Sequence, residues 1–212
     1  MKYDAVIFDL DGVICHTDKY HYQAWQAVAQ RLGIPFDEKT NNRLRGISRA
    51  ESFEIILEAY DGVLTQKQKK RYIKQKNDIY VSLLRSMKPD DVSAEVKDTI
   101  EKIKQKGIPI AIGSSSKNAR TILKKTNLYG LFDAVSDGND ISNSKPDPEV
   151  FLKAARKMGI KPKRCLVVED AESGVQAALA AGMDCAAIGD AAKHGTATYN
   201  LKSILELIDL LQ

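Results

Sequence analysis

Two acids one residue apart, Asp9 and Asp11, stand where a short apolar run stops in Phe8-Asp9-Leu10-Asp11-Gly12. The run Ala5-Val6-Ile7-Phe8 has the length and content of a strand buried on both faces. Side chains alternate faces along a strand, yet a pair at its end can crowd together where the carboxyl edge of a sheet opens. In open α/β sheets, ligands bind at that edge. Two carboxylates there suit a hard divalent cation, or the divided work of nucleophile and general acid/base. A strand-terminal turn, with Asp for local hydrogen bonds and Gly12 for positive φ, accounts for the same residues without chemistry. The rest of the chain has to separate these readings.

Three further clusters follow, two of them ending apolar runs in the same way. Ser114-Ser115-Ser116-Lys117-Asn118 comes after Ile108 to Ile112 and opens a helical pattern. Hydroxyls, backbone N–H groups and a lysine at a helix start form an anion site, with phosphate the common occupant; a simple cap by Ser116 is the alternative. Lys145 precedes Pro146, which restricts its own φ and that of the residue before it. Glu169-Asp170 ends the run Leu166 to Val168, and with Asp9 and Asp11 would make a site of four carboxylates. Mg²⁺ would relieve their mutual repulsion while keeping waters and a phosphate oxygen as further ligands. Gly174, one turn on, fits a close approach to that site. A nucleophilic carboxylate, a second acid for the proton, Ser114 and Lys145 for the phosphoryl oxygens, and carboxylates for a metal together suit phosphoryl transfer through an aspartyl-phosphate.

These clusters need a sheet to bring them together. From Asp91 onward the pattern alternates: helix at Val92 to Ile103 stopped by Gly107, strand at Ile108 to Ile112, helix at Lys117 to Lys125, weak strand at Phe132 to Ser136. A helix over Pro148 to Met158 follows, with Asp147 as N-cap and Pro148 at N1. Then come strand Cys165 to Val168, helix Ser173 to Ala181, strand Cys185 to Ile188 and a closing helix Leu201 to Leu211. Such alternation predicts an α/β fold with a doubly wound parallel sheet, Rossmann-like in kind. Between the first strand and this series only helical patterns occur: Tyr20 to Leu32, a capping box at Ser48-Arg49-Ala50-Glu51 leading Phe53 to Tyr60, and Thr65 to Met87. Residues 1–14 and 89–212 are therefore expected to form the α/β core, and residues 15–88 an inserted all-helical cap domain.

Composition narrows the function classes. With 43% hydrophobic and 28% charged residues, the chain is an ordinary globular sequence, and 212 residues give room for one good-sized domain or one domain carrying a smaller insertion. A net charge of +4 is compatible with small anionic substrates and too weak and scattered to argue for nucleic acid. Lys67-Gln68-Lys69-Lys70-Arg71 is the densest basic group and is expected to be a solvated helix face. Cys15, Cys165 and Cys185 form no CxxC; the last two read as small core residues, which fits a reducing cytoplasm. The first apolar run is too short for a signal-peptide core, and no segment approaches about 18 continuous apolar residues, so no membrane span is expected.

The four clusters, in order, resemble the motifs of the haloacid dehalogenase superfamily over the whole chain. The resemblance implies Asp9 as nucleophile, Asp11 as general acid/base, and Mg²⁺ held by Asp9, the Asp11 backbone carbonyl and Asp170, beside Glu169. It also implies that residues 15–88 are a small cap that closes over the core and excludes water. The cap stretches are most similar to those of the β-phosphoglucomutases within that superfamily. His21-Tyr22-Gln23-Ala24-Trp25 resembles the hinge-side stretch whose histidine contacts the general acid/base. Gly46-Ile47-Ser48-Arg49 resembles the substrate-phosphate loop, with Arg49 as its cation, and Lys76-Asn77-Asp78 a stretch facing the sugar. Ser116, Lys117 and Asn118 would hold the distal phosphate from the core side. Taken one at a time, Ser48 as a cap, Trp25 as packing and Lys76 as surface remain open. Ser93-Ala94-Glu95 replaces a Pro-Gly turn found in relatives; residues 189–200, including His194, match poorly, and His16 is expected to be exposed.

The expected activity is a mutase interconverting β-glucose 1-phosphate and glucose 6-phosphate through a 1,6-bisphosphate. The same chemistry with water as acceptor, a sugar-phosphate phosphatase, is the main alternative. A phospho-accepting signalling module on a similar sheet is the third, opposed by the helical insertion and the Asp-x-Asp spacing. The expected partner is a small-molecule sugar phosphate, with no nucleic acid and no membrane, and the expected state a cytoplasmic monomer.

Overall fold

A computed structural model describes residues 2–212. Strand β1, Ala5–Phe8, lies inside a parallel sheet with β2 (Ile110–Gly113), β3 (Ala134–Ser136), β4 (Cys165–Glu169), β5 (Asp184–Ala187) and β6 (Tyr199–Asn200). The spatial order is β3-β2-β1-β4-β5-β6. Register pairs Phe8 with Ile112 on one side and with Val168 on the other. The chain winds outward from β1 in both directions, so the order reverses between β1 and β4. A crevice at the carboxyl ends follows from that reversal, because the connections leave toward opposite faces.

Alternation along the strands makes two apolar layers. Val6, Phe8, Ile110, Ile112, Leu166 and Val168 pack with Ile100 and Ile103 of α5 (Ala94–Gln105), Ile122 and Leu123 of α6 (Ala119–Lys125), and Leu207 of α9 (Leu207–Leu210). Ala5, Ile7, Ala111, Cys165, Val167 and Cys185 pack with Phe151 and Ala154 of α7 (Glu149–Met158) and Val175 and Ala178 of α8 (Glu172–Ala180). All of β1 is 0% exposed, and burial at about 1.5–3 kcal/mol for each large apolar side chain fixes its place at the centre.

Between β1 and α5 run α1 (Asp18–Arg31), α2 (Glu38–Asn42), α3 (Arg49–Leu57) and α4 (Gln66–Leu84). They hold an apolar cluster of their own, with Trp25, Val28, Ala29, Ile34, Leu44, Phe53 and Ile56. Trp25 and Phe53 stack at 5.9 Å between centroids. The Ser48 and Thr65 capping boxes are both formed, starting α3 and α4.

Several boundaries differ from the sequence expectation, each for a local reason. The expected closing helix is broken: Ser203 Oγ accepts from the N–H of Leu205, and Ile204–Glu206 winds as a 3₁₀ turn before α9. The edge strand β6 and helix α2 are short elements without usable periodicity. At α7 the helix begins at Glu149, with Pro148 in the cap position rather than at N1, although Asp147 still accepts from the N–H of Glu149 at 2.9 Å. The long helix α4 stops at Leu84 and α3 at Leu57, before Met87 and Tyr60. Residues 67–71 are largely exposed and so is His16, while all three cysteines are buried. No helix among the described residues is long and apolar enough to cross a membrane.

Gly113 shows how closely the layers approach. A Cβ there would meet the Phe151 ring at 2.6 Å. Gly113→Ala is expected to lower stability by about 1–3 kcal/mol in urea unfolding, and Phe151→Leu in the same chain to recover part of the loss. Equal stability of Gly113→Ala and the parent would show that the layers are not in contact there.

Candidate active site

The end of β1 leaves Asp9 in the crevice, and the end of β4 leaves Glu169 and Asp170 beside it. Lys145, 0% exposed, enters from the loop before α7 and lies 2.5 Å from both Asp9 Oδ1 and Glu169 Oε1. Its ammonium stands over the Phe151 ring at 4.6 Å. The Lys145–Pro146 peptide is cis. Glu169 is fully engaged, since its second oxygen accepts from the N–H groups of Asp170 and Ala171 at 2.8 and 2.9 Å. Gly174 makes room for it: a Cβ there would sit 1.8 Å from Glu169 Oε1.

Oxygens of Asp9, Glu169 and Asp170 all lie within 4.8 Å of one another. The group has three carboxylates, not the expected four, because the Asp11 carboxylate turns to the Thr17 hydroxyl instead. Gly12, at φ +98°, brings the backbone close against Asp170, whose Oδ2 a Cβ would meet at 2.0 Å. Burial raises Asp9 well above the usual carboxylate range; Lys145 opposes this, and Glu169, Asp170 and Asp11 reinforce it. Burial, then Glu169, pushes Asp170 up to about 8. Oxygen-only donors held close and strained by like charge fit a hard divalent ion such as Mg²⁺.

Ser114, at the end of β2, is buried, and its hydroxyl accepts from the N–H of Ser116 at 3.1 Å. The Ser116 hydroxyl accepts from the N–H of Asn118 at 3.2 Å, so it does act as a local cap. The Asn118 amide reaches across to Asn77 Oδ1 of α4 at 3.0 Å. Ser114, Ser116, Lys117 and Asn118 line the same cavity of about 890 Å³ as Asp9, Asp11 and Asp170.

The opposite wall comes from the helices. Gly46, Ile47, Ser48 and Arg49 line the cavity together with His21, Trp25 and Lys76. Ser48 is committed to its capping box. Arg49 opens α3, where a cation opposes the helix dipole, and among the described residues no carboxylate pairs with it. Burial lowers its pKa. Lys76 is 1% exposed, with its ammonium 5.0 Å from the Trp25 ring centroid and 4.7 Å from that of Tyr80. It lies 2.9 Å from His21 Nδ1, while His21 Nε2 lies 3.9 Å from Asp11 Oδ1. With Lys76 protonated, Nδ1 accepts and the imidazole proton resides on Nε2, facing Asp11. Burial, then Lys76 and Arg49, hold His21 well below its usual pKa. Burial raises Asp11 to about 6, against the Thr17 hydrogen bond.

All the expected site residues thus border one cavity or its charged floor. Three participants escaped sequence reasoning: Thr17, Asn77 as a partner of Asn118, and Arg45. Arg45 is paired with Asp170, Asp18 and Asp190. The one available signal was a second arginine just before Gly46.

Comparison with known proteins agrees with this geometry. The family model described as haloacid dehalogenase-like hydrolase matches residues 3–182. A β-phosphoglucomutase of Bacillus subtilis is 39% identical over 188 residues, covering 87% of this chain and 83% of that protein. A phosphorylated carbohydrates phosphatase of Thermotoga maritima is 31% identical, covering 85% and 82%. The crystal structure of a β-phosphoglucomutase from Clostridium difficile superposes with a TM-score of 0.93 at 35% identity, covering 99% of this chain and 96% of that one.

Burial lowers the pKa of Lys76 from 10.5 to about 7, so the unfolded chain holds a proton there that the folded chain lacks between these values. Stability contributed at this position is therefore lowest below pH 7 and rises with pH across the window. The stability difference, parent minus Lys76→Met, is expected to rise between pH 6.5 and 9.5 by on the order of a few kcal/mol. Urea unfolding at the two pH values measures it; a flat difference would mean Lys76 keeps its proton when buried.

Proposed function

The chain belongs to the haloacid dehalogenase-like hydrolase family, and we propose that within it this protein is a β-phosphoglucomutase. The substrate pair would be β-glucose 1-phosphate and glucose 6-phosphate, linked by glucose 1,6-bisphosphate. The observation that carries this reading is Arg49, a half-buried cation with no ion pair among the described residues, lining the same cavity as Asp9, which Lys145 contacts from behind. A cavity cationic at both ends suits a substrate that is, at mid-reaction, phosphorylated at both ends. A phosphatase needs only the floor.

In this mechanism a phosphoryl group on Asp9 passes to a sugar hydroxyl. Oxygen of the hydroxyl bonds phosphorus, the P–O bond to Asp9 breaks, and Asp11 takes the hydroxyl proton. The bisphosphate then turns over. Asp9 attacks the other phosphorus, and Asp11 returns the proton to the departing sugar oxygen. Asp11, raised to about 6, can hold or release a proton near neutrality. His21, with its proton on the nitrogen facing Asp11, would steady the carboxylate, and Lys76 would steady His21. Ser114 and Lys145 would bind the transferring group; Arg49, Ser116, Lys117 and Asn118 the distal phosphate; Trp25, Gly46 and Ile47 would shape the wall against the sugar. Mg²⁺, held by Asp9, Asp170 and the Asp11 carbonyl with Glu169 behind, would neutralise phosphoryl oxygens when bound. Residues 15–88 would serve as the cap that keeps water from phosphorylated Asp9.

The phosphatase reading is favoured by the similarity to sugar-phosphate phosphatases, among them a fructose-1-phosphate phosphatase of Escherichia coli at 33% identity. An assay supplying β-glucose 1-phosphate, Mg²⁺ and a trace of the 1,6-bisphosphate separates the two. Glucose 6-phosphate is expected without stoichiometric free phosphate, and Asp9→Asn should abolish it. Free phosphate in place of isomerisation overturns the mutase reading. Arg49→Ala is expected to slow isomerisation by about 10- to 100-fold, yet leave phosphorylation of Asp9 by a small acyl phosphate within a few-fold. Equal losses in both would remove Arg49 from the distal-phosphate role.

A further inference from the structure

Arg45 belongs to no role assigned above, yet it makes more ion pairs than any other cation of the crevice. Its guanidinium pairs with Asp170 Oδ2, and contacts Asp18 Oδ2 at 3.0 Å and Asp190 Oδ2 at 3.1 Å. Its carbonyl accepts from the Ser173 hydroxyl at 3.1 Å, and a Cβ on Gly46 would stand 2.3 Å from Ser173 Oγ. Residues 45 and 46 are therefore pressed against the start of α8, just beyond Asp170. Burial disfavours the charge of Arg45, but Asp170, Asp18 and Asp190 outweigh it and hold the pKa above its ordinary value.

Asp170 is one of the three carboxylates that fit a divalent ion. An arginine already on the same carboxylate meets an arriving cation twice: it occupies a lone pair of that group, and its charge repels at short range. Displacement does not strand it, because Asp18 and Asp190 remain as acceptors, and Asp190 is half exposed. A buried charge losing one of three partners costs far less than one losing its only partner.

We propose that Arg45 competes with the divalent cation for Asp170, with Asp190 serving as the acceptor that lets it withdraw, so that this residue sets the metal affinity of the site. The inference rests on the metal reading above. It predicts opposite effects from two substitutions and a specific coupling between them. Arg45→Met is expected to tighten metal binding by roughly tenfold. Asp190→Asn is expected to weaken it several-fold in the parent but to have little effect once Arg45 is methionine, because its part is to receive Arg45.

The experiment is titration of substrate-free, phosphate-free protein with Mn²⁺ followed by electron paramagnetic resonance, repeated with Mg²⁺ as competitor, on the parent, both single variants and the double variant. Arg45→Lys should stay near the parent, which separates charge from lost packing. Metal binding unchanged or weakened in Arg45→Met overturns the proposal, because Arg45 would then be indifferent to the metal or would orient Asp170 for it. An Asp190→Asn effect of the same size in both backgrounds also overturns it, leaving Asp190 as a distant charge only. If the parent binds neither ion, the metal reading falls and the competition with it; if the parent binds and only the coupling is missing, the competition falls alone.

Discussion

One buried ammonium balances the floor of this crevice. Lys145 has no exposure and lies 2.5 Å from carboxylates on two different strand ends, Asp9 after β1 and Glu169 on β4. Removing those acids from water without it would leave like charges facing each other in a medium that screens them poorly. Even with it, Asp9 and Asp170 are held above their ordinary range by burial first, with Glu169 raising both. The residual imbalance is what makes the site receptive to another cation, whether a metal ion or the guanidinium of Arg45.

The sheet explains why the imbalance can exist at all. Central strands buried on both faces, with β1 between β2 and β4, hold their terminal residues against two apolar layers, so Asp9 and Glu169 cannot relax outward. Gly12 and Gly174 remove the Cβ atoms that would otherwise collide with Asp170 and Glu169. Rigidity of the scaffold, more than any single hydrogen bond, keeps the acids close.

The helical wall adds a second electrostatic layer. Lys76 sits between aromatic rings and against His21, which turns its other nitrogen toward Asp11. This chain of contacts begins on α4, passes through α1 and ends beside β1, so the protonation of Asp11 depends on where the helices sit. In a family whose members resembling this chain include both a mutase and a phosphatase, the proposed choice of acceptor would be governed from this wall and not from the shared floor.

Much of this was legible in the sequence because it is local. Apolar runs ending in Asp9, Ser114 and Glu169 mark strand ends, and a parallel sheet brings strand ends to one edge whatever the details. Ser48-x-x-Glu51 is a cap by its own geometry, whereas Lys76 shares the i, i+4 face of Tyr72 and Tyr80 on α4 but only packing settled that it is buried. The short elements α2 and β6 and the broken closing helix were not legible, since a few residues carry no periodicity and one hydroxyl at Ser203 outweighs the apolar spacing around it. Only the tertiary structure decided that the Asp11 carboxylate leaves the acidic group for Thr17, and that Arg45 joins it. The first depends on how the turn after β1 folds back to bring Thr17 to Asp11, and the second on charges far apart in sequence meeting across the crevice; neither leaves a pattern in the chain until packing has set the distances.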